Sequence, residues 1–292
     1  MRSLLFVPAH DARKLAKGLD CGADALIIDL EDAVPEAHKA QARGRCAEFV
    51  SAHRARLPLI VRVNALDTGL LLDDLAAVVR AQPFGIMLPK CTSGRDVALV
   101  DSYLAALEAR DGVPRGTLRI LPIVTESAAA LFEMSSYAQA GPRLHAMMWG
   151  GEDLAADVGT VANRRADGRY TAPYELARSL TLLGATGAQV PAIDAVYTNF
   201  RDPEGLKAES ADAVRDGFSA KAAIHPDQVG PINAAFTPSP ADVAWATRVI
   251  AAFSATPEKG ALVLDGKMLD RPHHRSAQRV LARAATPTPD LS

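Results

Sequence analysis

The feature of this 292-residue sequence that most restricts its fold is a series of eight short apolar segments, separated for the most part by helix-like segments. The apolar segments lie at residues 4–8, 25–30, 59–64, 85–89, 119–125, 144–149, 192–198 and 220–224. Apolar runs of this length are typical of strands buried on both faces. Strand alternating with helix eight times predicts an α/β fold, a (β/α)8 TIM barrel, although a doubly wound open sheet uses the same alternation.

The alternation stops after residue 224. Ser239, Pro240 and Asp242 are typical of a helix start. This helix is followed by a turn at Gly266 and a final helix near residues 273–284. We therefore predict a catalytic barrel domain at residues 1–235, a short helical and hairpin extension at 236–285, and a frayed tail at 286–292.

Composition excludes several classes of partner. The 32 basic and 34 acidic residues give a net charge of −2, so no basic field exists to attract nucleic acid or an anionic membrane. No apolar run is long enough to predict a transmembrane helix, and residues 1–8 resemble a first strand more than a secretion signal. The three widely spaced cysteines indicate neither a disulfide framework nor a zinc site. We expect a cytoplasmic protein.

Two carboxylates stand just beyond consecutive apolar segments. Glu126 follows IVT at 123–125, and Asp153 follows MMWGGE at 147–152. In a barrel both would lie at the carboxyl ends of the strands, where catalytic groups gather. Magnesium commonly uses one or two carboxylates, and no cluster of histidine and cysteine competes for another metal. The alternative for Glu126 is a structural acid at a helix N-terminus.

Arg62 and Lys90 are the cationic side chains at the predicted strand ends. Arg62 lies inside an apolar run and offers a planar fork for a carboxylate ligand. A buried ion pair with Asp29 or Glu31 is the alternative, and the two interpretations are compatible. For Lys90, a solvated or ion-paired lysine is favoured over a Schiff base, because its neighbours provide no distinctive activation.

Several ordered motifs resemble the citrate lyase β-subunit-like family, which includes malyl-CoA and citramalyl-CoA lyases. The matching segments are RSLLFVP (2–8), IDLEDAV (28–34), VRVN (61–64), LPK (88–90), GGEDL (150–154) and IHP (224–226). The resemblance covers nearly the whole chain, including the segment GKMLD at 266–270.

This resemblance implies a Mg²⁺-dependent carbon–carbon lyase. Such an enzyme cleaves a 3-hydroxyacyl thioester into a 2-keto acid and acetyl-CoA, or forms the thioester from these two products. By motif, Glu126 and Asp153 take the metal-ligand positions, and Arg62 takes the position that binds the substrate carboxylate. Glu126 and Arg62 thus serve both substrate binding and catalysis. The further substrate-binding candidates are Phe6, Arg13 at the CoA portion, Ala222 and Ala223.

Asp270 matches an acid that, in these lyases, completes the active site of a neighbouring subunit. The resemblance therefore implies a homo-oligomer, a trimer or a hexamer, with Asp270 as the candidate base. Three other functions stay open: a citrate lyase β subunit that needs partner subunits and an acyl-carrier thioester, a malyl-CoA thioesterase, and a non-catalytic thioester-binding protein. The sequence leaves open which thioester is used and in which direction.

Overall fold

Eight parallel strands form the centre of the molecule. The computed structural model describes residues 1–285, so the tail expected at 286–292 lies outside the described residues. Each predicted apolar segment contains a strand. The strands are β1 (Ser3–Pro8), β2 (Ala25–Asp29), β3 (Leu59–Arg62), β4 (Gly85–Leu88), β5 (Arg119–Pro122), β6 (Met147–Met148), β7 (Ala192–Asp194) and β8 (Ala220–Ala223).

The strands close into a barrel. Their order is β5-β4-β3-β2-β1-β8-β7-β6, with every neighbouring pair parallel. The two end strands are joined by parallel bridges between Ile120 and Leu144 and between Ile123 and Met148. The Val124 N–H also donates to the Met148 carbonyl at 2.9 Å. The TIM-barrel prediction is therefore confirmed, and the open-sheet alternative is wrong.

Helices follow the strands around the barrel. They are α1 (Ala12–Leu19), α2 (Lys39–His53), α3 (Leu71–Val78), α4 (Gly94–Asp111), α5 (Ala128–Phe132), α6 (Glu152–Val158), α7 (Ala172–Gly187), α8 (Pro203–Asp216) and α9 (Val229–Phe236). The sequence pattern assigned no helix to the segments that form α3, α6 and α9. Between β5 and β6, the short helix α5 is followed by a 3-10 segment, Met134–Gln139.

The barrel interior is a packed apolar core. Each strand contributes a buried side chain to it: Leu4, Ile27, Ile60, Met87, Leu121, Met148, Ile193 and Ala222. This filling makes the strands rigid supports for the loops at their carboxyl ends. No described helix is both long and apolar enough to cross a membrane.

The described chain divides into two compact units, and the second begins at Ala234. The second unit contains α10 (Pro240–Ala255), the antiparallel strands β9 (Ala261–Leu264) and β10 (Lys267–Asp270), and α11 (Arg271–Ala284). Ser239 caps α10, since its Oγ accepts the Asp242 N–H at 3.1 Å. Asp265 and Gly266 both have positive φ, as a two-residue Asp-Gly hairpin turn requires. A separate apolar cluster stabilises this unit.

Candidate active site

A pocket of about 430 Å³ opens at the carboxyl ends of the barrel strands. Five carboxylates and one guanidinium line it, from Asp29, Asp32, Glu126, Glu152, Asp153 and Arg62. Its apolar wall comes from Phe6, Ile123, Met148, Trp149, Tyr170, Val196 and Ile224, among others. The lining therefore combines carboxylates with apolar and aromatic side chains.

Glu126 and Asp153 are brought to this pocket by a close junction between two loops. The Thr125 hydroxyl donates to the Gly150 carbonyl at 3.0 Å and lies 2.9 Å from the Gly150 N–H. A Cβ at Gly150 would lie 3.0 Å from Glu126 Cγ, so glycine is what permits this approach. Asp153 follows directly in the first turn of α6. The structure thus places both predicted metal ligands on one pocket.

The Glu126 carboxyl lies in an unfavourable place for a negative charge. The residue is only 6% exposed. Burial raises its pKa to about 8; the backbone N–H of Lys90 opposes the rise, and the carboxylates of Asp153 and Glu31 add to it. A cation beside this carboxylate would relieve both effects.

Lys90 links three carboxylates of the site. Its Nζ lies 2.5 Å from Glu31 Oε1 and 3.4 Å from Asp153 Oδ1, while its backbone N–H donates to Glu126. Although partial burial opposes protonation, the carboxylates of Glu31, Asp153 and Asp32 raise the pKa of the lysine. Its φ of +49° is rare outside glycine, and such strain concentrates at functional sites. The ion-paired interpretation of Lys90 is therefore confirmed.

Arg62 is held by a two-pronged ion pair. Its Nε and Nη2 lie 2.8 and 2.6 Å from the two carboxylate oxygens of Asp29. Its Nη1 lies 2.9 Å from Glu31 Oε2 and 3.4 Å from Asp32 Oδ2. Burial opposes the charge, but these carboxylates outweigh it and raise the pKa of the guanidinium. The guanidinium also lies 4.9 Å above the ring of Phe6. The predicted buried ion pair exists with both Asp29 and Glu31.

The donor set at the pocket fits a magnesium ion. Among residues 1–285, no group of three or more histidine, cysteine, aspartate or glutamate side chains is arranged around a single point for a metal. Two carboxylates with solvent or ligand oxygens completing the shell are what magnesium commonly uses. Burial, together with the neighbouring carboxylates of Asp153 and Glu31, raises the pKa of Glu126, and a bound cation would favour its ionised form. Glu126 and Asp153 are therefore suited to hold it.

Three other predicted site residues lie apart from the described pocket lining. Arg13 is exposed on α1, and Ala222 and Ala223 are fully buried in β8. From the end of β8 it is Ile224 that lines the pocket. The substrate-binding roles of these three residues stay predictions.

Asp270 belongs to the second unit, where it ends β10 and precedes α11. Its carboxylate lies 2.5 Å from His273 Nδ1, and this contact lowers the pKa of Asp270. The side chain is about two-fifths exposed. Its role as a base stays a prediction.

Sequence reasoning missed the aromatic wall. Trp149 and Tyr170 line the pocket, and their rings meet edge to face at 5.0 Å. In the sequence, Trp149 was interpreted only as the end of an apolar run. Its position directly before the glycine pair was the one signal that could have marked it. Nothing in the sequence marks Tyr170, which lies in a loop.

A closed (β/α)8 barrel with a carboxylate-rich pocket at its strand ends defines the class of this protein, a barrel enzyme with its site at the usual face. More particularly, the chain belongs to the HpcH/HpaI aldolase/citrate lyase family, whose model matches residues 2–226. The resemblance drawn from the motifs is confirmed.

Relatives extend along the whole chain. A (3S)-malyl-CoA thioesterase of Cereibacter sphaeroides is 36% identical, over 97% of this chain and 94% of its own. The mitochondrial citramalyl-CoA lyase of Rattus norvegicus is 31% identical, over 98% and 86%. The crystal structure of CitE from Mycobacterium tuberculosis, in complex with magnesium, acetoacetate and coenzyme A, has a TM-score of 0.79 and 35% identity, over 97% of both chains.

Proposed function

We propose that this protein is a Mg²⁺-dependent carbon–carbon lyase acting on a 3-hydroxyacyl-CoA such as malyl-CoA or citramalyl-CoA. The single observation that carries the proposal is the convergence of Glu126, Asp153 and Arg62 on one pocket. Citramalyl-CoA lyase and the magnesium- and CoA-bound CitE structure, each more than 30% identical to this chain, support it.

Glu126 and Asp153 would hold the metal. Bound there, Mg²⁺ would supply Lewis-acid polarisation of the 2-keto acid oxygens. The protein's own part is to hold both carboxyl groups at one pocket. Lys90 contributes to this, since it contacts Asp153 through Nζ and Glu126 through its backbone N–H.

Arg62 would bind the substrate carboxylate by exchanging one partner. Its two short contacts with Asp29 orient the guanidinium and can stay in place. Its 3.4 Å contact with Asp32 is long, and the Asp32 side chain is 56% exposed, so a substrate carboxylate can replace it at little cost.

The lyase reaction needs one group that acts as a base. In cleavage, the base takes the proton of the 3-hydroxyl, whose oxygen becomes the keto oxygen. The C2–C3 bond breaks, its electron pair forms the thioester enolate, and a proton returned to C2 gives acetyl-CoA. We assign this base to Asp270 of a neighbouring copy in a homo-oligomer, with the motif at 266–270 as support.

The test is direct. Purified protein is incubated with malyl-CoA and citramalyl-CoA, and release of glyoxylate or pyruvate is followed with and without Mg²⁺. We expect release that EDTA abolishes and Mg²⁺ restores. Protein with bound Mg²⁺ that cleaves none of these thioesters would contradict the proposal.

A thioesterase is the second candidate, because the (3S)-malyl-CoA thioesterase shares 36% identity. It would use the same pocket, but water would attack the thioester carbonyl. Free malate and CoA without glyoxylate would identify this outcome in the same assay.

A further inference from the structure

Six side chains between the pocket wall and the outer helices form a closed ring of contacts. We call this ring the Trp149 circuit, and its members in order are Trp149, Asp194, Lys221, Glu209, Arg164 and Tyr170. Only Trp149 and Tyr170 among them line the pocket.

The inner part of the circuit is a buried charge chain. The Trp149 Nε1–H donates to Asp194 Oδ1 at 2.7 Å. The Lys221 ammonium donates to Asp194 Oδ2 at 2.7 Å and to Glu209 Oε1 at 2.8 Å. Because Asp194 and Lys221 are 0% exposed, both depend on their protein partners for hydrogen bonds, and breaking one contact would be costly.

Arg164 closes the outer part of the circuit. Its Nη1 lies 2.8 Å from Glu209 Oε2, and its Nη2 donates to the Tyr170 hydroxyl at 2.6 Å. The backbones of Arg164 and Tyr170 also pair in an antiparallel bridge. The centroids of the Tyr170 and Trp149 aromatic rings lie 5.0 Å apart, and this contact completes the Trp149 circuit.

The circuit touches the backbone that carries Asp153. A Cβ at Gly151 would lie 3.1 Å from the six-membered ring of Trp149, so that ring lies directly against the turn into α6. Asp153 is the second residue of α6. A shift of Trp149 would therefore move the Asp153 carboxylate relative to Glu126.

We propose that Arg164 is a positioning residue, which acts through Tyr170 and Trp149 to set the turn that carries Asp153. The inference rests on the proposed function, since it concerns a ligand of the proposed metal. Arg164 itself does not line the pocket, and its side chain is 23% exposed. Its loss should change the site more than the global stability of the fold.

Arg164→Met tests this role, and Arg165→Met is the matched control. Arg165 is the next residue of the same loop, but it pairs with the exposed Glu175, at 3.3 Å, and has no place in the circuit. The variants are made in a Trp245→Phe background, which leaves Trp149 as the sole tryptophan of the two in the chain. Two measurements follow: Trp149 emission of the metal-free protein, and the Mn²⁺ dissociation constant by electron paramagnetic resonance.

We expect Arg164→Met to shift Trp149 emission and to raise the Mn²⁺ dissociation constant about tenfold, at a melting temperature close to that of the parent. Arg165→Met should leave Trp149 emission unshifted and the Mn²⁺ dissociation constant within about twofold of the parent value. Tyr170→Phe, which removes only the hydroxyl, should weaken Mn²⁺ binding in the same direction, and the double variant should be less than additive.

Unchanged emission and unchanged Mn²⁺ affinity in Arg164→Met would overturn the positioning role, as would an equal effect of Arg165→Met. If Arg164→Met does not fold, Tyr170→Phe decides whether the hydrogen bond from Arg164 to the Tyr170 hydroxyl sets the site, and unchanged emission and Mn²⁺ affinity in that variant would overturn the proposal. A parent protein that binds Mn²⁺ but cleaves no thioester would refute the proposed function alone. A parent that binds no Mn²⁺ would refute the metal site, and unshifted emission would still refute the circuit.

Discussion

At the scale of single residues, the main feature of the site is a group of carboxyl groups so close together that ionising all of them is unfavourable without a cation. Glu126 is buried and lies near Asp153 and Glu31, and its pKa is raised to about 8. Lys90 and Arg62 offset part of the charge. A divalent cation would neutralise the negative charge that remains.

Glu126→Gln should separate function from stability. We expect Mg²⁺-dependent lyase activity to fall by roughly a hundredfold or more, since a ligand is lost. The metal-free melting temperature should stay the same or rise, because burial and the neighbouring carboxylates disfavour the ionised form of Glu126, which the neutral amide of Gln does not have. Activity with Mg²⁺ and thermal unfolding in EDTA are the measurements. Glu133→Gln, at an exposed position, is the control, and full activity in Glu126→Gln would refute the ligand role.

At the scale of elements, the loops of the site depend on how closely neighbouring helices and strands approach one another. The N-terminus of α4 meets the 3-10 segment Met134–Gln139, and the Gly94 N–H donates to Ser136 Oγ at 2.8 Å. In contrast, α2 carries Gly44 on an exposed face with nothing within 4 Å of its ideal Cβ.

Glycine-to-alanine changes in these two helices should have opposite effects. At Gly94 a Cβ would lie 2.4 Å from the Ser136 carbonyl oxygen, so Gly94→Ala should lower the free energy of unfolding by about 1–3 kcal/mol. Gly44→Ala should raise it by about 0.5–1 kcal/mol, because alanine favours the helix. Urea titration of both variants measures the difference. Equal signs would refute the close contact at α4.

The buried pair of Asp194, at the end of β7, and Lys221, within β8, should make stability depend on pH. Burial opposes ionisation of Asp194, but Lys221 and Arg178 outweigh it and lower its pKa. Because the folded pKa lies below the unfolded value of about 3.9, the contribution is complete above pH ~4 and disappears as pH falls through the folded pKa.

Asp194→Asn should therefore cost about 3–5 kcal/mol at pH 7, since Lys221 loses its buried partner. The cost should shrink below pH ~4, as the parent itself becomes protonated. Denaturant titrations at pH 7, 5 and 3 measure it. Asp212→Asn, in an exposed pair with Arg215, should cost about 0–1 kcal/mol at every pH. A cost for Asp194→Asn that does not vary with pH would refute this account.

At the scale of the whole molecule, the question is how the second unit contributes to catalysis. Asp270 begins a helix of that unit, and the proposal assigns it to the pocket of a neighbouring copy. Such sharing makes a prediction that no single variant can test, because two inactive chains can then complement each other.

Coexpression of Glu126→Gln with Asp270→Asn chains should restore activity. If each site takes its pocket from one copy and its acid from the next, random assembly gives about a quarter of the sites both intact parts. Lyase activity of the mixed oligomer measures this. Coexpression of Glu126→Gln with Arg62→Met is the control, since both changes lie in the pocket and no intact site can form. No recovery in the first mixture would refute sharing.

Much of the barrel could be predicted from sequence, because a strand buried on both faces must be apolar along its length. The pairing of Arg62 with Asp29 and Glu31 could be named as an alternative, since a charge inside an apolar run needs a partner. The placement of Glu126 beside Asp153 followed from strand order. The helices α3 and α6 were not predicted from the sequence pattern.

The alternation of strands and helices, and the residues at the strand ends, follow from the pattern of apolar segments. The partners of those residues depend on how the barrel folds. The bond from Trp149 to Asp194 joins residues 45 apart, and that from Lys90 to Glu31 joins residues 59 apart. The physical reason is that periodicity fixes the face on which a side chain lies, whereas its partner depends on barrel closure and on the loops that packing brings together.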